Sequence, residues 1–353
     1  MIYFDNAATT PLCDAAKEIL KRDFFNPSSP HALGLEAERM VKAAAKDIAN
    51  ILSCNKDELI FTSGGTESNN LGILGVAYAL KSARGKNRPL HILAGNQEHP
   101  SVTEPLKYLA SLPGYSVSYA APSDWEAHIC DDTALMCVVQ VSSDTGDMVD
   151  LDNLPRRKEV LLFVDGAQGF CKMPITSGVA DIYSFSGHKI HGPKGVGGLM
   201  VRKQVEQQFG IRLPPLMYGG GQQNNLRPGT ENVPGIVAMA EAAKAMQAID
   251  NLTITNIKKI LSDINGLGVI NQHEKEASPY ILSVDIPGVR GETLTNLLST
   301  HGVYISMGTA CSTAKKSKMS VETIRLSFSY MNTEEEALQA KVIIGNCIGE
   351  LKR

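Results

Sequence analysis

The chain has 353 residues, 43% hydrophobic and 20% charged, with 34 basic against 37 acidic side chains and a net charge of −3. Composition of this kind belongs to a soluble globular protein, one large domain or two unequal ones, and the near balance of charge excludes the broad basic field of a nucleic-acid or membrane-surface binder. The opening MIYFDNAATT lacks a signal-peptide pattern, no apolar run reaches the ~20 residues of a membrane span, and seven scattered cysteines without a C-x-x-C pair suit a reducing cytoplasm rather than a disulfide framework or a zinc site.

In chain order, GLEAERMVKAAAKDIANIL reads as an Ala-rich helix with apolar residues three and four apart. Strand-like runs follow: ELIFTS, LHILAG, ALMCVVQVS, VLLFVDG and DIYSFS. Several are apolar nearly throughout, the mark of strands covered on both faces. A second Ala-rich helix, VPGIVAMAEAAKAMQAI, completes an α/β pattern with a mostly parallel sheet. Past about residue 250 the texture changes. YILSVDIPG, the helix-like GETLTNLLSTHG, and a last segment in which Thr333 precedes three glutamates imply a smaller α+β unit ending in a long helix. The expected division is 12–250 for a large domain, with 1–11 and 251–353 forming the small one.

Ligands of parallel α/β sheets bind beyond the carboxyl ends of the strands, so the residues that follow each strand carry the most information. After ELIF comes TSGGTESNN, a Gly-Gly bend running into a helix. Its N–H groups at Gly65 and beyond, with the Thr66 hydroxyl, suit a phosphate or serve as an ordinary helix cap. After LHILAG stands His99, a surface residue unless a ligand claims it. After VLLFV stands Asp165, which pays desolvation unless it meets a cation or donors, with Gln168 three residues on. After DIYSF come Ser186, His188 and Lys189. Lys194, between Gly192-Pro193 and Gly195, has the setting of a turn. A phosphate cradle, an acid at a strand end and a lysine beyond a neighbouring strand are the parts required by a pyridoxal phosphate (PLP) enzyme. Its lysine forms a Schiff base while an acid pairs with the pyridinium nitrogen. Lys189 is the better placed of the two lysines.

The ordered motifs YFDNAATTP, NPSSPHALG, TSGGTESNN, EHPSV, VDGAQG, SFSGHKIHGPKG, GGGQQNNLRPGTEN, GTACS and IRLSFSYMNTEEE span nearly the whole chain. Together they resemble the cysteine desulfurases, in the class V aminotransferase group of fold type I PLP enzymes. The resemblance implies a large domain with a mostly parallel seven-stranded sheet and a smaller α+β C-terminal domain. Residue by residue, it implies that Lys189 is the Schiff-base lysine and that His99 stacks on the ring and shuttles a proton. Asp165 pairs with the pyridinium nitrogen, and Gln168 bonds the ring oxygen. Gly65, Thr66, Ser186 and His188 hold the phosphate, which Thr230 of a second subunit also reaches, so a homodimer with a shared active site is implied. Arg325 clamps the substrate carboxylate, with Asn6 and Arg227 helping at that end. Cys311, in Gly308-Thr309-Ala310-Cys311, matches the nucleophile that takes sulfur from L-cysteine as a persulfide. The sulfur then passes to an acceptor protein for iron–sulfur cluster assembly or for tRNA or cofactor thiolation.

The chain departs from the family pattern at several points. Where the family usually has Val-Asn-Asn-Glu-x-Gly, this chain has Val141-Ser142-Ser143-Asp144-Thr145-Gly146, and Ser143 has a shorter reach toward the ring hydroxyl than asparagine. Only 13 residues separate Cys311 from Arg325, fewer than in members with a long cysteine loop. Tyr330 stands where an arginine is common. Beside the desulfurase reading stand a related PLP lyase, acting on selenocysteine or cysteine sulfinate, and a weakly active PLP-binding interaction protein.

Overall fold

The computed structural model describes residues 1–85, 88–174, 178–264, 267–269, 277–308 and 323–353. The chain divides into two compact units, one of 12–140 and 149–247, the other of 1–11, 141–148 and 248–353.

The larger unit is built on a seven-stranded sheet. From edge to edge it runs Leu59–Thr62, Gly197–Val201, Ile182–Ser186, Leu161–Asp165, Thr133–Val139, Leu90–Gly95 and Tyr115–Ala120. Gly197–Val201 is antiparallel to both its neighbours and the remaining pairs are parallel. The five runs that read as strands in the sequence all lie in this sheet, and four of them are buried at every position. Tyr115–Ala120, an edge strand, alternates polar with apolar residues and stays half open. The helix Gly65–Arg84 lays Leu71, Ile73, Val76 and Leu80 into a core shared with Ile92, Leu135, Phe163 and Leu199. Each such side chain contributes about 1.5–3 kcal/mol by leaving water. Tight packing at one point sets the helix's distance from the sheet, because a Cβ on Gly72 would stand 2.6 Å from the Phe163 ring. The register aligns Val139 with Asp165 and Asp165 with Ser184, so Asp165 and Ser186 reach the same edge of the sheet, Ser186 two residues beyond the partner of Asp165.

In the smaller unit, Ser306–Gly308, Thr323–Ser327, Ile281–Asp285 and Gly268–Val269 form an antiparallel sheet in that order. Ile2–Tyr3 pairs in parallel with Val303–Tyr304. The helix Glu334–Leu351 starts as its sequence implies: the Thr333 hydroxyl accepts from the Glu336 N–H at 3.1 Å, and the Glu336 carboxylate returns to the Thr333 N–H at 3.3 Å. Residues 141–148 lie inside the span 12–250 that the sequence assigns to one block, yet they belong to this unit. Gly146 accepts from the Ser278 N–H and Ser143 from Arg325, bonds that no change of composition announces. Among the described residues no helix is long and apolar enough to cross a membrane.

Candidate active site

The carboxyl edge of the large sheet gathers the residues that the sequence singles out in this unit. Gly64, between the strand Leu59–Thr62 and the helix Gly65–Arg84, has φ 150, a backbone that favours glycine. A side chain on the facing Gly197 would stand 2.7 Å from the Gly64 Cα. With both positions bare, the helix N-terminus opens beside Ser186, whose Cβ is 3.6 Å from where a Gly65 side chain would begin. Ser186 is 1% exposed and its Oγ is a buried hydroxyl without a partner among the described residues. An orphaned hydroxyl beside the N–H groups of a helix start is a cradle for an anion. Thr66, on the first turn, is exposed and available to the same anion.

Asp165 ends its strand 3% exposed and is held by neutral donors: the Ala167 N–H reaches Oδ1 at 3.0 Å and the Asn69 amide reaches Oδ2 at 2.8 Å. Gly166 is small because the Tyr183 ring fills the space of a Cβ there. The Asn69 Nδ2 also donates to Ser101 Oγ at 2.8 Å, and that oxygen lies 2.7 Å from His99 Nδ1. His99 caps the helix Pro100–Ala110, its Nδ1 accepting from the Ser101 N–H at 3.1 Å. A backbone N–H can only donate, so a single ring proton sits on Nε2, the atom left to face a ligand. Asn69 and Ser101 thus join the acid to the histidine, a link that sequence reasoning missed. Its signal was present, since Asn69 is one helical turn beyond Thr66 and Ser101 is two residues beyond His99. Glu98 lies near this pair, its Oε1 accepting from the Val139 N–H at 2.8 Å and its Oε2 buried. Burial pushes its carboxyl well above the usual range despite that N–H, with the charge of Asp165 adding to the rise.

Lys189 sits half-buried in the short turn Gly187–Lys189 that follows Ile182–Ser186. The loop folds back through Gly187 N–H to Val196 O and Gly192 N–H to Gly187 O, both at 3.0 Å. Lys194 is exposed in the same loop. Burial, and then the charges of Lys189, Lys194 and Lys172, lower His188 to about 4, so its ring is neutral at physiological pH. Gln168 is 4% exposed, with Oε1 accepting from Lys172 Nζ at 3.1 Å. Arg227 donates Nε to Glu67 Oε1 at 3.0 Å. Burial raises the Glu67 carboxyl, but the bonds from Arg227 and Ser63 outweigh it and leave it below its ordinary value. Thr230 is exposed, next to Gly229 at φ 105.

In the smaller unit, Arg325 projects from Thr323–Ser327 and is 7% exposed. Its Nη2 donates to Asp5 Oδ1 at 3.0 Å and its Nη1 to the Ser143 carbonyl at 2.9 Å, with Asp144 Oδ1 at 3.8 Å. Its buried Nε is without a partner among the described residues. The Asn6 amide bonds the carbonyls of Tyr3 and Ser327 and the Asn332 Oδ1 at 3.0–3.3 Å, which ties the N-terminal segment down. Ser143 meets Arg325 through its backbone oxygen, both within the smaller unit. Cys311 lies outside the described residues.

The Aminotransferase class-V family model matches residues 2–339. The chain belongs to that family. A cysteine desulfurase IscS of Dictyoglomus turgidum is 35% identical over 342 residues, 89% of this chain and 82% of the relative. A solved NifS-like protein superposes with a TM-score of 0.88 at 32% identity, covering 99% of each chain. SspA, solved in complex with cysteine, superposes with a TM-score of 0.78 at 27% identity over 93% of this chain and 99% of its own. The fold is that of the fold type I PLP enzymes, and members of the family depend on pyridoxal phosphate. The residues present fit that group: an orphaned Ser186 hydroxyl at a helix start for its phosphate, the buried Asp165 carboxyl for its ring nitrogen, and a lysine on the adjoining loop.

Proposed function

We propose that the protein is a cysteine desulfurase that takes sulfur from L-cysteine and leaves L-alanine. The observation that carries the reading is the carboxyl edge of the large sheet, where Asp165, Ser186 and Lys189 follow neighbouring parallel strands, in a chain 35% identical to a cysteine desulfurase. Gly65, Thr66, Ser186 and His188 would hold the cofactor phosphate, with Asp165 on its ring nitrogen and Gln168 on its ring oxygen. The bound cofactor supplies an electron sink for the pair released at the substrate Cα. Lys189 would hold the cofactor through its amine and would take the substrate Cα proton as a general base. His99, with its Nε2 proton outward, donates to or receives from the reacting groups. Arg325 is assigned the substrate carboxylate, for which a guanidinium offers two parallel donors.

The Cys311 thiolate attacks the substrate sulfur. An S–S bond forms as the C–S bond breaks, the bonding pair stays with carbon, and a proton completes alanine. The persulfide on Cys311 passes to a sulfur-acceptor protein, for iron–sulfur cluster assembly or for tRNA or cofactor thiolation. A homodimer completes the site when Thr230 of a second copy reaches the phosphate, and the exposure of Thr230 supports this. A reducing cytoplasm suits the free thiols Cys13, Cys54, Cys130, Cys137, Cys171 and Cys347.

The test is alanine and sulfide release from L-cysteine by the wild type and by Cys311→Ala, with the visible spectrum recorded for both. The expected result is turnover in the wild type that collapses in the variant while both keep the lysine-bound cofactor band. Equal alanine production by the variant would remove Cys311 from the mechanism. Selenocysteine or cysteine sulfinate turned over in preference to cysteine would move the protein to a related lyase.

A further inference from the structure

The opposite edge of the large sheet, where its parallel strands begin, carries a cluster that the reaction above does not use. His91, second residue of Leu90–Gly95, lies in register with Thr133, the first residue of the neighbouring strand. Both are buried, and polar side chains at that depth need partners. His91 Nδ1 meets Thr133 Oγ1 at 2.8 Å, and its Nε2 meets Ser118 Oγ, on the edge strand Tyr115–Ala120, at 2.9 Å. The remaining member is Cys130, in the loop that leads into Thr133. Its N–H donates to Thr133 Oγ1 at 2.9 Å, and the Thr133 hydroxyl donates to its Sγ at 3.4 Å. That sulfur lies 3.6 Å from His91 Nδ1.

This is a nucleophile within hydrogen-bond reach of a base whose far nitrogen is held by a third group. With Ser118 accepting from Nε2, Nδ1 presents its lone pair on the side of the thiol. Burial lowers the ring's pKa from 6.5, with Asp132 opposing and His128 adding, so the imidazole is neutral at pH 7 and above. Access also sets Cys130 apart. Among the described cysteines, Cys13, Cys137 and Cys347 are buried, Cys54 and Cys171 are half-buried, and Cys130 is exposed. Burial pushes the thiols of Cys54, Cys137, Cys171 and Cys347 above their ordinary value. A nucleophilic thiol needs the reverse, an open approach and a group to take its proton.

We propose that Cys130, with His91, Thr133 and Ser118, forms a thiol-modification site that takes small disulfides. The Cys130 sulfur attacks one sulfur of R–S–S–R. A Cys130–S–S–R bond forms as the original S–S bond breaks. The thiol proton passes to His91 Nδ1, directly or through the Thr133 hydroxyl, and on to the departing thiolate. The cysteine is oxidised and the released half of the disulfide is reduced, so no other reactant is consumed. The site stands apart from the edge assigned to the cofactor. Thr133 begins a strand of 7 residues whose far end, Val139, pairs with Asp165, about 20 Å away along the strand. Modification of Cys130 is therefore independent of the reaction assigned to Lys189 and Cys311.

The experiment uses the full-length holoenzyme carrying Cys311→Ala, so that the thiol assigned to turnover does not react. Oxidised glutathione at neutral pH is the probe, with intact mass followed in time and the modified residue found by peptide mapping. One adduct should form first and map to Cys130, at least ~10-fold faster than in a short peptide spanning Cys130. Adding Cys130→Ser should abolish it. Adding His91→Asn should slow it about tenfold, because the base is gone. Ser118→Ala, which keeps the ring and releases its far nitrogen, should slow it by about threefold. Melting temperatures verify the fold of each variant, and the peptide comparison needs no variant at His91. A first adduct on another cysteine overturns the proposal, as does a Cys130 no faster in the folded protein than in the peptide. So does a folded His91→Asn that reacts at the undiminished rate, which would leave an exposed thiol without a base. None of these readings requires turnover of L-cysteine, so failure of the desulfurase reading leaves the proposal standing.

Discussion

Asp165 and Arg325 are both buried ionisable side chains, 3% and 7% exposed, but they are partnered in opposite ways. Neutral donors hold Asp165: the Asn69 amide from the helix Gly65–Arg84 and the Ala167 N–H from the turn after the strand Leu161–Asp165. Such partners stabilise a negative charge without cancelling it, so the carboxylate remains able to pair with a cationic ligand. Arg325 is held by a carboxylate, Asp5, and by the Ser143 carbonyl, with Asp144 nearby. Its charge is already partly answered. The region assigned to the cofactor is therefore an open electrostatic socket, and the region assigned to the carboxylate is one in which a substrate must compete with Asp5 for the guanidinium.

The sharpest way to break that comparison is at Lys189, which defines the socket. Lys189→Ala should abolish the lysine-bound cofactor band and reduce turnover by at least ~10³-fold, because it removes both the anchoring amine and the base. The Asp5–Arg325 contact should be unaffected, which an unchanged melting temperature of the apoprotein would report. A variant that retains the band would shift the anchoring role away from Lys189 and dissolve the socket as described.

At Arg325 the expected effects are smaller and confined to substrate. Arg325→Ala should raise KM for L-cysteine about 100-fold, with the cofactor band kept, since charge-assisted bidentate bonds are the strong ones. Asp5→Asn is the more telling change. Its amide oxygen can still accept from Nη2, but the competing charge is gone, so KM should fall by about two- to fivefold, the scale of a partly exposed ion pair. A rise in KM would mean that Asp5 holds Arg325 in place rather than answering its charge.

The two regions also differ in how far they could be read from sequence. Asp165, Ser186 and Lys189 are legible because each follows an apolar strand directly, and parallel strands bring such positions to one edge wherever they lie along the chain. Asn69 and Ser101 escaped because an amide and a hydroxyl have unremarkable hydropathy; only the meeting of two helix starts gives them a task. The Arg325 setting was harder still. Its partners come from residues 5 and 143, far apart in sequence, and one of them is a backbone oxygen that any side chain at 143 would supply. The same bonds explain why 141–148 leaves the larger unit although nothing in its composition marks a boundary. In the long helices, by contrast, spacing and the Thr333 cap were enough, because helix ends are decided locally.

A last and smaller effect tests the socket through pH. Burial and three lysines lower His188 to about 4 from an ordinary 6.5. Between those values the unfolded chain binds a proton that the folded ring refuses. The stability contributed by the neutral ring is therefore fully present above about 6.5 and lost as pH falls toward about 4. The apoprotein's melting temperature should fall across that window, and His188→Gln should flatten this part of the curve by a few degrees. Pyridoxal phosphate should flatten it too, because a phosphate dianion held by the imidazole favours the protonated ring and brings His188 back toward its unfolded value. If neither the variant nor the cofactor changes the slope, the acid-sensitive group lies outside the socket, and the contrast between an open cofactor region and a self-paired carboxylate region loses its electrostatic basis.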